Sequence, residues 1–458
     1  MNKYLDRRGR GLLIFTVCCF CFLGAGFWGI REALAGPAMP FPVHRSYAPG
    51  TIRPDSESRE RQDAVVREFY DRWKADYLVR VPGESAWGGP LYRITHGSVD
   101  PERTVSEGQG YGMLILTHMA GHDPRAQEIF NGLWAFARRH PSHVDTRLMA
   151  WEVPENPETG IDAAFDGDAD MAQALLLAHS QWGSSGRVEY LREAKILLGA
   201  IQESMIGRTS RLPLLGDWVA GAGPPYGQYT PRSSDFMPSH FRSWYRLTGN
   251  PAWLEVLDAV QSAVSRFQAE QSPASGLLPD FLVPRSESDH RLQPAPAYFL
   301  EGPHDGHYEY NAGRVPWRIG TDALLNNDPV SLAQSRKIAD WIYASTQGRA
   351  TRIRAGYYLD GTPLDPESDF TTFFAAPFGV AVMTRPGQQH FLNAIYNSIK
   401  QRHEDYYEDS VTLLCLLVMT GNYWEPAPTP ISPPAKTTPP LFSGHQLLLL
   451  KEGRNLVK

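Results

Sequence analysis

Ala164-Phe165-Asp166-Gly167-Asp168-Ala169-Asp170-Met171-Ala172 opens an apolar stripe that ends at Trp182. Met171, Leu175, Ala178 and Trp182 recur near i, i+4, i+7 and i+11, the spacing of one helical face. Three carboxylates therefore stand at the mouth of a helix whose far side is core. A single Asp there reads most simply as a cap for free N–H groups, favoured by the helix dipole. Three of them, fixed to a buried and rigid element, are what a site that binds and protonates a sugar needs. Asp-x-Asp-x-Asp also resembles the start of a calcium loop. The Gly and distal Glu of such a loop are missing, and Leu177 stands at the Glu position.

The same periodicity recurs outward from this helix. Segments near 58–78, 106–121, 125–140, 186–205, 234–247, 251–268, 329–347, 369–382, 388–401 and 407–421 space their apolar residues three to four apart. Gly, Pro, Asn and Asp separate them, as in Gly121-His122-Asp123-Pro124 and Gly249-Asn250-Pro251. Strand alternation is scarce. The chain is read as all-α, with eleven or twelve helices packed as hairpins and their loops on two opposite faces. Function then belongs to the longer loops of one face. The longest irregular stretch, Leu277 to Trp317, is rich in aromatics, His and acids, and a loop of that length in a compact domain is usually functional.

The two ends differ from this middle. Lys3, Arg7, Arg8 and Arg10 precede an uncharged run, Gly11 to Ile30, and Ala33-Leu34-Ala35 resembles a cleavage site. Residues 1–35 are expected to be an export signal, or an anchor if cleavage fails, since the run is long enough to span a bilayer. The protein is accordingly expected in the periplasm or secreted, as a monomer without stable membrane association once cleaved. Cleavage takes five basic and two acidic residues, leaving 39 basic against 48 acidic, a net of −9. Such a balance excludes a polyanion such as nucleic acid as the natural partner. It also leaves Cys415 as the only cysteine, so no internal disulfide is available and a large core must supply stability. Residues 36–57 read as a lead-in and 58–424 as the catalytic domain. Residues 425–458, with seven prolines between Pro426 and Pro440, read as a linker and tail.

Two further motifs carry chemistry. Ser106-Glu107-Gly108-Gln109-Gly110-Tyr111-Gly112-Met113 leads into an apolar helix. Ser106 and Gln109 have capping-box spacing, so the plainer reading is a helix start. Three glycines are costly in a helix and let another backbone or a ligand come close. Glu107 would then lie beneath a cleft, where desolvation raises its pKa and makes it a proton donor. Asn311-Ala312-Gly313-Arg314-Val315-Pro316-Trp317-Arg318 sets two arginines around a Pro-Trp kink, suited to holding carboxylates in fixed orientation. The plainer reading is a buried ion pair, with Asp322 as a partner.

These three motifs, with Tyr406-Tyr407-Glu408-Asp409-Ser410-Val411 and Gly421-Asn422-Tyr423-Trp424, resemble glycoside hydrolase family 8 over residues 58 to 424. Phe165 departs from the Ser or Thr usual there. The resemblance implies an (α/α)6 barrel of six helix hairpins with a groove on one face. It implies inverting endo-hydrolysis of a β-linked glycan, without metal or organic cofactor. Glu107 would be the general acid, Asp166 would bind and distort the sugar at the cleavage point, and Trp151 and Trp218 would stack on neighbouring sugars. Tyr111, Asp168 and Asp235 are expected among the substrate-binding residues, and Arg314 beside the catalytic groups.

The base is the departure. Many members carry Asp where this chain has Asn311, and an amide cannot take a proton from water. The sequence is similar to the subgroup of lichenases and chitosanases in which a Glu on an inserted loop is the base. That role passes to Glu301, with Asp305, Glu309 and Asp235 as lesser candidates. Inversion requires about 6.5–9.5 Å between acid and base carboxyls. Mixed-linked β-1,3-1,4-glucan and chitosan are the expected substrates, with β-1,4-glucans such as cellulose behind them. The alternative is a catalytically inactive glycan-binding protein on the same barrel, and its only warrant is Asn311.

Overall fold

The computed structural model describes residues 36–156 and 161–426. The expected signal segment and nearly all of the Pro-rich tail lie outside the described residues.

Thirteen α-helices are present among them: α1 (Arg59–Tyr77), α2 (Ser106–Met119), α3 (Ala126–Arg139), α4 (Phe165–Trp182), α5 (Tyr190–Ser204), the single turn α6 (Val219–Ala222), α7 (Pro238–Thr248), α8 (Ala252–Glu270), α9 (Val315–Asn326), α10 (Pro329–Thr346), α11 (Thr372–Val382), α12 (Gln389–Ile399) and α13 (Tyr406–Met419). The twelve long ones alternate between two rings. Helices α2, α4, α7, α9, α11 and α13 pack each on the next and close the inner ring, with α13 against α2. Helices α1, α3, α5, α8, α10 and α12 lie outside. This is an (α/α)6 barrel.

Burial follows the sequence. Among inner helices, every residue of α11 is buried, and all of α2 except Glu107, whereas α7 leaves Tyr245 and Arg246 exposed at its end. Outer helices bury a single face, as in α8, where Trp253, Val256, Leu257, Val260, Val264 and Phe267 turn inward. Where α2 crosses α4, glycine permits the approach. A Cβ on Gly110 would lie 2.8 Å from the Asp170 Cβ, and one on Gly167 would collide with Ser106. Gly110 thus serves the close approach of α4, while Gly108 and Gly112 make room for the Ile94 side chain. No capping box forms either. Val105 is the N-cap, and Gln109 instead accepts from the Ile94 N–H (2.7 Å) and donates to the Leu133 carbonyl (3.1 Å).

Helix α9 lies outside the segments whose apolar spacing predicts a helix. Pro316 sits in its first turn, where its missing N–H costs nothing, so the Pro-Trp kink is a helix start. Three short antiparallel strand pairs are present among the described residues: the hairpin β1 (Leu78–Glu84) with β2 (Pro90–Ile94), β3 (Thr104–Val105) with β4 (Glu152–Val153) across α2 and α3, and the hairpin β5 (Leu282–Pro284) with β6 (Leu292–Pro294). The lead-in is bonded into the barrel through Phe41 N–H to Ala120 O (2.7 Å), Arg45 N–H to Gly421 O (2.7 Å) and Ile52 N–H to Met383 O (2.8 Å). Cys415 is fully buried among leucines of α13. No helix among the described residues is long and apolar enough to cross a membrane.

Candidate active site

A groove with one segment of about 620 Å³ and an adjoining one of about 390 Å³ crosses one end of the barrel. Both segments share Glu107, Glu301, Asn311, His96 and Tyr406. Trp151, Trp218, Tyr226, Arg103 and Arg232 line the larger one, and Tyr310, Tyr407, Asp405 and Glu408 the smaller.

The floor is set by helical periodicity. Glu107 and Tyr111 on α2, Asp166 and Asp170 on α4, and Arg314 and Arg318 at the start of α9 are each four residues apart. Each pair therefore occupies one face, one turn apart in depth. The upper level carries the groups that reach the groove. Arg314 Nη1 donates to Glu107 Oε2 (2.6 Å) and to Asp166 Oδ2 (2.8 Å). Arg232 Nη1 adds a second donor to Asp166 (3.0 Å), and the Tyr406 hydroxyl donates to Glu107 Oε1 (2.9 Å). In the lower level Arg318 grips both oxygens of Asp170 (2.8 and 2.6 Å), and His240 Nε2 lies 2.8 Å from the same carboxylate. Asp322 instead pairs with Arg242 (2.9 Å) and accepts from Ser331 (2.6 Å).

The two upper carboxylates are driven apart electrostatically. Burial raises the Glu107 carboxyl to about 7, Arg314 opposes that, and the charge on Asp166 adds to it. Burial also disfavours charge on Asp166, but Arg232 and Arg314 more than offset it and hold the group at about 2. Near neutrality Asp166 is a fixed anion and Glu107 a carboxyl with a proton to give.

The base side is built from a loop. Glu301 is exposed in the turn after β6, and its Oε2 accepts from Asn311 Nδ2 at 2.7 Å. Asn311 Oδ1 accepts from Arg314 Nη2 at 2.9 Å, so an unbroken chain of hydrogen bonds joins Glu301 through Asn311 and Arg314 to Glu107. Asp280, buried below, accepts from the amides of Glu309 (3.0 Å), Asn311 (3.2 Å) and Ala312 (2.7 Å), and from Asn311 Nδ2 (3.3 Å). An amide suits position 311 because its NH2 meets two carboxylates while its oxygen meets a guanidinium.

Several expected positions are corrected by this geometry. Tyr111 is fully buried one turn beneath Glu107, its hydroxyl accepting from Arg314 (3.2 Å), and does not line the groove. Asp168 is turned away by its helical position, two residues from Asp166. It is buried and accepts from the Met149 N–H (3.1 Å), and burial pushes its carboxyl well up. Asp235, in the 3₁₀ turn Ser233–Asp235, is also buried off the groove wall. Burial lifts its carboxyl to about 7 against the pull of Arg232, and among the described residues none bonds to that carboxyl. Asp305 is occupied with the amides of Leu300, Glu301 and Gly302. Glu309 is half-buried beside it and outside both groove segments. Trp151 and Trp218 do line the groove, with the Arg103 guanidinium 5.1 Å from the Trp151 ring centre. Sequence reading missed Arg232, Asp280 and the contact of Tyr406 with Glu107. Only Tyr406 carried a signal, as part of a motif run.

Comparison with known proteins agrees with this architecture. The sequence model described as Glycosyl hydrolases family 8 matches residues 39–421. A β-glucanase of Niallia circulans is 38% identical over 427 residues, covering 91% of this chain and 99% of the relative. An endoglucanase of Bacillus sp. strain KSM-330 is 37% identical over 404 residues, covering 87% and 84%. Among solved structures, the apo β-1,3-1,4-glucanase of Paenibacillus sp. X4 superposes with a TM-score of 0.78 at 38% identity, covering 85% of this chain and all of the other. A cold-adapted family 8 xylanase shares the fold alone, at 19% identity and a TM-score of 0.64 over 80% and 93% of the chains.

Proposed function

The chain belongs to glycosyl hydrolase family 8 and is a glycoside hydrolase, and from that premise we propose that it is an inverting endo-β-glucanase with Glu107 as acid and Glu301 as base. The observation that carries this reading is the pairing of a largely desolvated Glu107 carboxyl at the groove floor, raised to about 7, with an exposed Glu301 carboxylate in the same groove. Glu107 gives its proton to the leaving oxygen as the C1–O bond breaks. A water held by Glu301 attacks C1 from the opposite face and passes its proton to that carboxylate. Asp166, kept ionised by two arginines, receives sugar hydroxyls and offsets the positive charge developing at the ring.

On this reading Asn311, in place of the family's usual Asp, goes with a base borne on a loop. Its bonds to Glu301, Asp280 and Arg314 support that reading and count against the inactive glycan-binding alternative. Mixed-linked β-1,3-1,4-glucan is the favoured substrate, supported by the likeness to the Paenibacillus sp. X4 β-1,3-1,4-glucanase at 38% identity; the β-glucanase of Niallia circulans supports a β-glucan more generally. Chitosan is a second substrate, supported by Asp405, Glu408 and Glu301 along the smaller segment, whose charge complements an amino sugar. Action outside the cytoplasm, with residues 1–35 removed and the chain after Pro426 as a tail, belongs to the same proposal; Glu425, expected in that tail, instead accepts from Ser239, Arg246 and Asn326 and belongs to the barrel.

The test is reducing-end release from barley β-glucan, chitosan and carboxymethylcellulose, with Glu301→Gln alongside. Release from β-glucan that the variant loses supports the assignment. An unchanged rate in the variant removes Glu301 as base, and no release from any polymer favours the binding protein.

A further inference from the structure

The turn that carries Glu301 is fastened at three points, and none of them bonds to the Glu301 carboxylate itself, although the Tyr226 ring also forms part of the groove wall. Asp305 is buried, and its carboxylate accepts from the amides of Leu300 (2.7 Å), Glu301 (3.0 Å) and Gly302 (2.8 Å). Its own carbonyl accepts from the Phe281 N–H at 2.9 Å. Phe299, two residues before Glu301, is buried in a small apolar cluster with Leu215, Val219 and Phe281 that is separate from the main core. Tyr226 packs on that cluster, and its hydroxyl donates to the Phe299 carbonyl at 3.1 Å. Trp218, in the groove wall, meets the Tyr226 ring edge-on at 4.9 Å. Tyr298 turns the chain in the left-handed region, at φ 58°, a conformation an aromatic side chain holds only when its surroundings impose it.

An exposed turn with a bulky residue at positive φ does not keep a carboxylate in register by itself. A buried anion that collects three consecutive amides fixes the orientation of those peptides, and a hydroxyl bond with a buried ring fixes their position. We propose that Asp305 and Tyr226 are positioning residues for the Glu301 carboxylate, and that the Trp218 platform rests on the same brace. This inference rests on the assignment of Glu301 as base. Asp305→Asn keeps the shape but replaces one acceptor oxygen by an NH2 that faces an amide N–H. Tyr226→Phe keeps the ring and removes one bond.

Kinetics on barley β-glucan with the full chain, with and without sodium azide, test this. Azide needs no base: its terminal nitrogen bonds to C1 as the C1–O bond breaks, and Glu107 gives its proton to the leaving oxygen. The products are an α-glycosyl azide and a chain with a new hydroxyl end. Asp305→Asn is expected to lose about 10²-fold in kcat with KM within about twofold, as for a misplaced reacting group. Tyr226→Phe is expected to lose a few-fold, and azide should recover most of either loss, as is expected for Glu301→Ala. Should Asp305→Asn fail to fold, Tyr226→Phe carries the same test. Near-normal kcat in both variants, or a loss that azide leaves unchanged, overturns the positioning role while Glu301→Ala remains inactive and rescuable. If Glu301→Ala is itself fully active, the base assignment falls first and the positioning role with it.

Discussion

Glu107 stands on the second residue of an inner-ring helix, whereas Glu301 stands on a turn after a two-strand hairpin. Arg314 and Asn311 lie between them. The acid side inherits its rigidity from helix packing: α2, α4 and α9 each offer two side chains one turn apart, and ion pairs at two depths tie them together. The base side has no helix beneath it. There Asp280 and Asp305 are buried carboxylates that collect main-chain amides and so do for a loop what intrahelical bonds do for a helix. One reaction centre thus combines a rigid half that sets proton affinity with a fastened half that admits solvent.

This contrast can be broken from the acid side first. Glu107→Gln keeps the shape and loses the proton, so kcat on β-glucan should fall by about 10³-fold while binding of β-glucan oligosaccharides persists. Titration calorimetry beside the rate measurement checks both parts. The deeper level should behave differently. Arg318→Met leaves the buried Asp170 carboxylate without its bidentate partner, which costs about 3–5 kcal/mol of stability. Urea unfolding would read that loss; a variant as stable as the parent would show that the lower ion pair is not structural.

The junction between the halves gives a sharper test. Asn311→Asp restores the residue many family members carry, yet here it sets a carboxylate against Glu301 and Asp280. It should reduce kcat by about 10- to 100-fold, since repulsion moves the base out of register. A gain in activity would mean that position 311 can itself serve as base and that Glu301 is dispensable. The smallest expected effect is electrostatic. With Glu107 raised to about 7, the alkaline limb of kcat/KM should fall near that pH, as the acid loses its proton. The Tyr406 hydroxyl stabilises the charged form, so Tyr406→Phe should raise the Glu107 pKa and move the limb to higher pH. A limb that moves to lower pH would contradict this sign.

The same contrast governs what the sequence made legible. Eleven of the twelve long helices announce themselves by apolar spacing, and Glu107 and Asp166 stand in motifs tied to helix starts. Helix α9 is hidden because Arg314, Pro316 and Arg318 mask its periodicity, and both arginines are buried against carboxylates that come from elsewhere in the chain. Asp168 and Tyr111, expected at the substrate from the motifs they stand in, lie away from it because of helix geometry. A step of two turns a helical side chain to another face, and a step of four lowers it by a turn. The fastening of the Glu301 turn leaves no periodic trace. Asp280 and Asp305 act through main-chain amides, which any residue supplies, and Arg232 lies in a loop without motif.

The most direct measurement is the anomeric configuration of the first product, followed by ¹H NMR during cleavage of barley β-glucan. An acid at Glu107 and a base at Glu301, with water between base and sugar, predict that the α-anomer appears first and mutarotates to the β-form. Initial release of the β-anomer would mean a covalent intermediate and a nucleophile in place of a base, and would contradict the roles assigned to both carboxylates.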